Sequence, residues 1–311
     1  MRLGFPVTVL GRPGLRSHDG RRPPQAHLSV SLAYLRDVFL YLADRQIRMY
    51  RFSSDLIPRF AQADPAEARQ QLEACETELA MIGHLARRFD LRLSVHAAGS
   101  VVLSAPDPMR QARALTVLET LAQLLDGMGL GPEAVIVVHV GGHYGDRNQA
   151  LRAAADSVAR LSPAAQARLA LENDDRRFGV GDCLWLHRRT GLRLVFDLLH
   201  HQLYNPAGMP AAEALAACLD TWPSAHIPKI HLATPTTEMV RDRLNRPHPP
   251  RLNRHSHFLN PFPLIDFLRG LPTVRPFDVM LEARARDLAL LQFRQHLAHF
   301  APDLVARFAI T

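Results

Sequence analysis

The chain has 311 residues, of which 47% are hydrophobic and 22% charged, and this composition is typical of a globular protein with a sizeable core. Its formal charge of +7 is carried mainly by arginine, whose planar guanidinium suits phosphate oxygens, so nucleic acid is a natural partner. No run approaches the roughly 18 apolar residues of a membrane span, and the first residues resemble a strand more than a signal peptide. We therefore expect a cytoplasmic protein that does not bind membranes.

Short apolar runs alternate with longer segments of helical periodicity along the whole chain. Eight strands are predicted near 2–7, 47–52, 92–96, 134–139, 168–171, 193–197, 228–232 and 277–281. Helices are predicted at 29–44, 67–89, 108–127, 147–160, 180–190, 210–219, 262–270 and 284–299. Strict alternation predicts a parallel sheet covered by helices, and eight units predict closure into a single-domain (β/α)8 TIM barrel over residues 1–311.

A long loop at 233–259, rich in arginine and proline, interrupts this regular alternation after the seventh strand. Loops of this length in compact domains are usually functional or mobile. The sequence leaves open whether this one binds a partner or is a flexible surface insertion.

The three cysteines, Cys75, Cys183 and Cys218, are far apart and lack CxxC spacing. This pattern argues against a disulfide framework or a zinc finger. We expect reduced thiols that pack in the core.

Six predicted strands end in a histidine or a carboxylate. The residues concerned are His96, His139, Glu172, Asp197, His231 and Glu282. Strand ends converge on one mouth of a barrel, so several carboxylates there would repel one another without a cation between them. Mixed nitrogen and oxygen ligands suit zinc, manganese or iron(II) better than calcium, and the number of carboxylates indicates a multinuclear site.

Further candidates lie close to these strand ends. His200 follows Asp197, Lys229 precedes His231 by two residues, and the long loop contains His255 and His257. Of the histidines, we take His200 and His257 as the stronger ligand candidates.

Several motifs in this order resemble the UV-damage endonucleases, metal-dependent barrel nucleases similar to the apurinic-site endonucleases. The most specific are LENDDR from Leu171, VFDLLHH from Val195 and DVMLEA from Asp278, and others are RLGFP, YRFSSDLIP, RLSVH, VVHVGGHYGDR, PKIHLAT and HSH. The resemblance covers nearly the whole chain.

The resemblance implies a set of site residues and an activity. The metal ligands would be His96, His139, Glu172, Asp197, His200, His231, His257 and Glu282, and the catalytic residues Glu172, Lys229 and His231. Glu172 would bridge two ions, and Lys229 matches a lysine that can be carboxylated. The family nicks DNA 5′ to a pyrimidine dimer or 6-4 photoproduct and leaves a 3′-hydroxyl. We expect two to three divalent ions, manganese first, with zinc, magnesium and cobalt as alternatives.

The sequence departs from the family where lesions are probed. Family members carry a polar-aromatic pair after the third-strand histidine, but this chain has Gly99 and Ser100. Other probing positions are occupied by Phe5, Val9 and, near the second strand, Gln62. An apolar wedge from the stretch Val101, Val102 and Leu103, or a preference for another lesion, would account for the change.

Damaged double-stranded DNA is the expected partner of a monomeric enzyme. The candidate DNA-binding residues are Arg241, Arg243, Arg246, Arg251, Arg254 and Tyr144. Three alternatives remain open: a metal-dependent sugar isomerase or epimerase, an endonuclease for other lesions such as abasic sites, and a degenerate DNA-binding relative.

Overall fold

The computed structural model describes residues 1–21, 25–58 and 65–310 and contains a parallel barrel in which strands and helices alternate. The strands in chain order are β1 (Leu3–Pro6), β2 (Met49–Phe52), β3 (Arg92–His96), β4 (Val135–His139), β5 (Leu169–Glu172), β6 (Arg193–Val195), β7 (Lys229–Leu232), β8 (Val240–Arg241), β9 (Pro247–His248) and β10 (Asp278–Leu281). β8 and β9 form a separate antiparallel pair, and the other eight form one sheet.

The large sheet has the order β6-β5-β4-β3-β2-β1-β10-β7, and every pair of neighbours is parallel. Its two end strands meet through one parallel bridge between Asp197 and His231. There the His231 amide donates to the Phe196 carbonyl at 2.8 Å. The predicted (β/α)8 barrel is confirmed, although closure depends on this single bridge.

Helices surround the barrel. They are α1 (Leu28–Asp44), α2 (Pro65–Ala74), α3 (Glu76–Arg88), α4 (Pro108–Gly127), α5 (Arg147–Ala159), α6 (Pro163–Arg168), α7 (Val180–Thr190), α8 (Leu198–Leu203), α9 (Ala211–Asp220), α10 (Pro261–Arg269), α11 (Arg286–Phe300) and α12 (Pro302–Phe308). Aspartate and asparagine caps begin several of them, because their side chains accept from otherwise free backbone amides. Asp107 accepts from Arg110 N at the start of α4, and Asn260 accepts from Phe262 N at the start of α10.

Two predictions about the elements were wrong. The predicted helix at 67–89 is two helices, because Cys75 leaves helical geometry with φ −114° and ψ 20°. The loop at 233–259 was predicted to be irregular, but it contains the β8–β9 hairpin. In addition, α6, α8 and α12 were not predicted, since helices of six or seven residues are too short to show periodicity.

Alternation along the strands places every second residue inside the barrel. On β3 these residues are Arg92, Ser94 and His96, from the amino-terminal end to the rim. Arg92 donates to the Asp278 carboxylate on β10 at 2.8 Å, and the Lys229 amine on β7 donates to Ser94 Oγ at 2.9 Å. Because both bonds cross the interior, these side chains fill the barrel and do not line a pore.

Trp222 closes the amino-terminal end of the barrel. It is buried, its indole donates to the Leu194 carbonyl at 2.7 Å, and the guanidinium groups of Arg92 and Arg193 lie 5.7 and 5.0 Å from its ring. Polar groups at this end of a barrel serve stability, whereas chemistry belongs to the opposite rim.

Two further expectations concern cysteines and membranes. Cys75, Cys183 and Cys218 are free and buried, as predicted. Within the described ranges, no helix combines the length and the apolar character needed to cross a membrane.

Candidate metal centre

The six strand-end residues predicted as ligands meet at the carboxyl-terminal rim of the barrel. His139 and Glu172 are paired neighbours on β4 and β5. His96 Nε2 lies 2.9 Å from one oxygen of Glu172, and His231 Nδ1 lies 2.9 Å from the other. The same His231 nitrogen is 3.3 Å from Glu282 Oε1. Glu172 therefore occupies the middle of the rim and contacts imidazoles on both sides.

Three groups of side chains at this rim have the composition and spacing of metal sites. They are His96, His139 and Glu172; Glu172, Asp197 and His200; and Asp197, His231 and Glu282. Within each group the potential ligand atoms lie within 4.8 Å of one another. Because Glu172 and Asp197 each belong to two groups, the rim is suited to neighbouring ions that share carboxylates.

His200 reaches the rim because Asp197 starts a helix. The Asp197 side chain accepts from the His200 amide at 2.8 Å and caps α8, so the two side chains lie one turn apart. His200 Nδ1 is then 3.4 Å from Glu172 Oε1. Asn173 fixes the backbone of Asp197 through two hydrogen bonds, at 2.9 and 3.0 Å.

The structure separates the two histidines of the HSH motif. His255 forms a bridge with Pro235, its ring lies 6.3 Å from that of His200, and its Nδ1 is 3.7 Å from Glu282 Oε2. His257 follows in a bend and is exposed, and neither histidine belongs to the three ligand groups found among the described residues. The geometry therefore favours His255 as a ligand, and the assignment of His257 remains a prediction without geometric support.

Burial and close charges set the protonation of the cluster. Burial alone would raise the pKa of Glu172, but the neighbouring imidazoles hold it well below its usual value. Burial raises the pKa of Asp197 to about 7 and lowers that of His231 to about 4. For His200, the carboxylates of Asp197 and Glu172 overcome burial and raise the pKa to about 11.

Two buried atoms at the rim test whether a metal fits. Asp197 Oδ2 and His231 Nε2 have no hydrogen-bond partner among the described residues. Buried polar atoms are almost always paired, and an ion is one explanation for an exception. Both atoms are standard ligands for divalent metals, so the residues fit such an ion.

Sequence reasoning missed Arg51. Its guanidinium forms an ion pair with Glu282, and Arg51 lies at the rim end of β2, one alternation after the buried Met49. The alternation that explains His96 could have identified it, but an arginine at a strand end does not have the character of a ligand. Arg51 places one fixed positive charge beside the carboxylates.

Lys229 lies inside the barrel, below the carboxyl-terminal rim, and is completely buried. Burial, with Arg51 and Arg92 nearby, lowers the pKa of its amine well below the usual value. Its bond to Ser94 places it one layer beneath His231. Lys229 therefore lies beneath the candidate metal centre and does not belong to a ligand group, and its catalytic role stays a prediction.

A cavity of about 590 Å³ opens above the cluster. Its walls include His96, His139 and Glu172, and its outer parts include Arg176 and Tyr144. Tyr144 is exposed and has a φ of +47°. It covers Gly142, where an added Cβ would come within 2.8 Å of the tyrosine ring. This cavity gives a large substrate access to the rim.

Of the predicted probing positions that the structure describes, two are buried and two are exposed small residues. Phe5 and Val9 are buried, and Phe5 packs edge-on against Tyr50 at 5.4 Å. Gly99 and Ser100 are exposed but have almost no side chain. Gln62 lies outside the described residues.

Burial narrows the apolar wedge considered at 101–103 to one residue. Val101 and Leu103 are buried in the core, and only Val102 is half-exposed at the cavity wall. The loop therefore uses Val101 and Leu103 for packing and leaves Val102 facing the cavity.

All the predicted DNA-binding arginines of the long loop are exposed. Arg246 pairs with Asp242, and Arg241 donates to the Asn245 carbonyl. The side chains of Arg243, Arg251 and Arg254 have no hydrogen bond or ion pair within the described part of the chain. The guanidinium groups of these three residues are therefore exposed and unpaired in the described part of the loop.

Fold and rim together define a class: parallel barrels with a candidate multinuclear metal centre at the carboxyl-terminal rim and an open cavity above it. Solved barrels of this shape include D-psicose 3-epimerase from Clostridium cellulolyticum H10, with a TM-score of 0.55 and 13% identity over 91% of this chain and 85% of the epimerase. At that identity the likeness shows the fold alone.

Residues 25–306 match the family UV-endonuclease UvdE, and the chain belongs to this family of nucleases. The UV DNA damage endonuclease of Bacillus pumilus (strain SAFR-032) is 32% identical over 263 residues, which are 83% of this chain and 78% of that protein. The crystal structure of SacUVDE superposes with a TM-score of 0.80 and 24% identity, covering 96% of this chain and 99% of that one. The resemblance inferred from the motifs is confirmed.

Proposed function

We propose that this chain is a metal-dependent DNA repair endonuclease that nicks the phosphodiester 5′ to a UV photoproduct. The observation that carries the proposal is the set of three adjoining ligand groups, which share Glu172 and Asp197 under an open cavity. Family membership supports a nuclease acting at UV damage. Family membership also favours a nuclease over a sugar isomerase, because the isomerases and epimerases share only the fold with this chain.

Divalent ions, when bound, would supply Lewis-acid stabilisation of the charge that develops on the phosphate. His96, His139 and Glu172 would hold one ion, and the groups around Asp197 would hold the others, with His255 beside His200. Manganese suits this mixture of imidazole and carboxylate ligands. Asn173 would orient Asp197, because it fixes the backbone of that ligand on both sides.

The residues around the ligands have separate tasks. Arg51 would hold Glu282 in place through their ion pair. Burial lowers the pKa of the Lys229 amine well below its usual value, which favours the neutral amine that the carboxylated form implied by the family resemblance requires. In that form it would add negative charge one layer below His231.

DNA would be bound by groups outside the ligand cluster. Arg243, Arg251 and Arg254 would contact phosphates, with weaker contributions from Arg241 and Arg246, which are already paired. Tyr144 would contact the damaged strand at the edge of the cavity. Such contacts position a duplex without reading its sequence, so binding should weaken as salt rises.

A nicking assay tests the proposal. Metal-free protein is supplied with manganese and with end-labelled duplexes that contain a pyrimidine dimer, a 6-4 photoproduct, an abasic site or no lesion. We expect a cut immediately 5′ to the photoproducts and none in the undamaged duplex. Cutting only at the abasic site would show that the enzyme acts on a different lesion from the one proposed. No cut on any duplex by a protein that binds manganese would overturn the nuclease proposal.

A further inference from the structure

The β8–β9 hairpin rises from the candidate metal centre. Its stem begins where Thr234 and Thr236 run antiparallel to 254–256. Thr236 N donates to Arg254 O at 2.7 Å, and Ser256 N donates to Thr234 O at 2.9 Å. The outgoing chain leaves from β7, which carries His231, and the returning chain passes through His255. The hairpin is therefore anchored to the rim by both of its ends.

One carboxylate organises the tip of the hairpin. Asp242 accepts hydrogen bonds from the backbone amides of Leu244 and Arg246 at 2.8 and 3.0 Å, and from the side chains of Arg246 and His248 at 2.7 and 3.1 Å. These hydrogen bonds, of which the one from the Arg246 amide has the largest effect, lower the pKa of Asp242 to about 2. The carboxylate therefore stays charged at neutral pH. Asn245 completes the turn with a φ of +60°.

This ordered tip presents a leucine to solvent. Leu244 is 73% exposed, the most exposed of the large apolar residues in the long loop. A single exposed leucine is common and by itself does not indicate a function. Here the bonds to Asp242 hold the backbone of Leu244 outward, at the most distant point of the hairpin.

The charged residues around the hairpin tip indicate which kind of partner binds there. Arg243 adjoins Leu244 and has no partner among the described residues, and the exposed Arg251 and Arg254 lie on the returning chain. An apolar side chain flanked by arginines complements the apolar base stack and the phosphates of a duplex. The span from Pro235 to Leu244 is at most about 30 Å when fully extended. The tip thus stays within about one turn of DNA from the rim.

We propose that Leu244, presented by the β8–β9 hairpin, enters the base stack of the DNA beside the lesion and takes over the role of the polar-aromatic pair that Gly99 and Ser100 replace in this chain. This inference rests on the proposed function, because it assumes that damaged duplex lies across the rim. Leu244 is a specificity-determining residue here, and Asp242 is the residue that positions it. Damaged sites unstack at the lowest cost, so a wedge of this kind selects them.

The test measures unstacking separately from nicking. Duplexes carry 2-aminopurine beside a pyrimidine dimer, and its fluorescence rises when the base leaves the stack. Fluorescence is read in a Glu172→Gln background, which keeps the DNA intact, and nicking is read in the wild-type background. The variants are Leu244→Ala, Leu244→Phe and, as a matched control, Leu252→Ala, which removes another exposed leucine of the same loop.

We expect Leu244→Ala to abolish most of the fluorescence rise and to lower kcat/KM for dimer nicking at least about 10-fold. Leu244→Phe should retain both signals, and Leu252→Ala should match the parent. Equal fluorescence and nicking for the two alanine variants would overturn the wedge. So would a Leu244→Ala effect confined to self-association, measured by sedimentation.

The two proposals fail in different ways. If the wild-type chain does not nick the dimer duplex, the proposed function fails, and the fluorescence arm still decides whether Leu244 unstacks DNA. If the wild-type chain nicks and Leu244→Ala nicks equally well, only the wedge fails. Thermal denaturation of each variant checks the fold, which an exposed side chain should not affect.

Discussion

Replacing Glu172 with glutamine removes one negative charge from the middle of the rim and keeps the size of the side chain. Its two oxygens lie 2.9 Å from His96 and from His231, and the residue belongs to two of the three ligand groups. Loss of an anionic ligand should weaken metal binding at both groups by at least about 100-fold, the upper end of the effect seen for residues that only support ligands.

The expected magnitude follows from linkage between binding and folding. At a manganese concentration of 100 times Kd, each wild-type site raises the free energy of unfolding by about 2.7 kcal/mol. A site weakened 100-fold contributes only about 0.4 kcal/mol under the same conditions. Glu172→Gln should therefore lose about 2.3 kcal/mol of metal-induced stabilisation per affected site and should also stop nicking dimer-containing DNA.

Thermal denaturation with and without manganese measures this change. Glu213→Gln serves as the control, because Glu213 is an exposed glutamate on α9 that belongs to none of the ligand groups found among the described residues. We expect the control to keep the full metal-induced shift and normal nicking. A Glu172→Gln variant that keeps the wild-type shift, or nicks at the wild-type rate, would refute the role assigned to this carboxylate.

Four further outcomes are expected. Lys229→Met should keep or raise thermal stability, because a buried amine is removed, yet lower nicking about 10- to 100-fold; unchanged nicking would contradict a catalytic role. His255→Ala should weaken manganese binding, measured by calorimetry, more than His257→Ala does; the reverse order would favour the assignment from the motif. Trp222→Ala should lower the free energy of unfolding in urea by about 3–5 kcal/mol while metal binding persists. The hydrogen bond from the Arg21 side chain, helped by backbone hydrogen bonds, holds the pKa of Asp19 well below its usual value. Asp19→Asn should therefore lower the free energy of unfolding at neutral pH, and this loss should shrink as the pH falls below about 4. A loss of stability that does not depend on pH would contradict this.

The barrel and its rim could be predicted because both follow from simple periodicities. Alternation of strands and helices gave the eight parallel strands, and period-two alternation within strands turned His96, His139 and Glu172 to the same interior. Each of these residues ends an apolar run, which is visible in the sequence alone.

The choice between His255 and His257 could not be predicted. Both histidines stand two residues apart, and in an extended strand they would share one face. The structure pairs only His255 with Pro235 and then bends the chain at His257. That bend is set by long-range hydrogen bonds, including Ala285 N to His257 O at 2.9 Å, which no local pattern reveals.

Side-chain networks were equally invisible. Arg51 on β2 reaches Glu282 after β10, past the intervening strand β1, and Asp242 orders the hairpin tip by accepting four hydrogen bonds. In the sequence, Arg51 is one arginine among many, and Asp242 is an acidic residue in a basic loop. Tertiary contacts give each its role.

The number of divalent ions that each chain binds tests the metal centre most directly. Protein freed of metal by chelation is dialysed against manganese, and bound metal is counted by mass spectrometry. We expect about two to three ions per wild-type chain, one for each occupied ligand group, and at most about one in a variant with amides at Glu172, Asp197 and Glu282. A wild-type chain that binds neither manganese nor zinc, or a triple variant that binds as many ions as wild type, would contradict a metal centre at this rim.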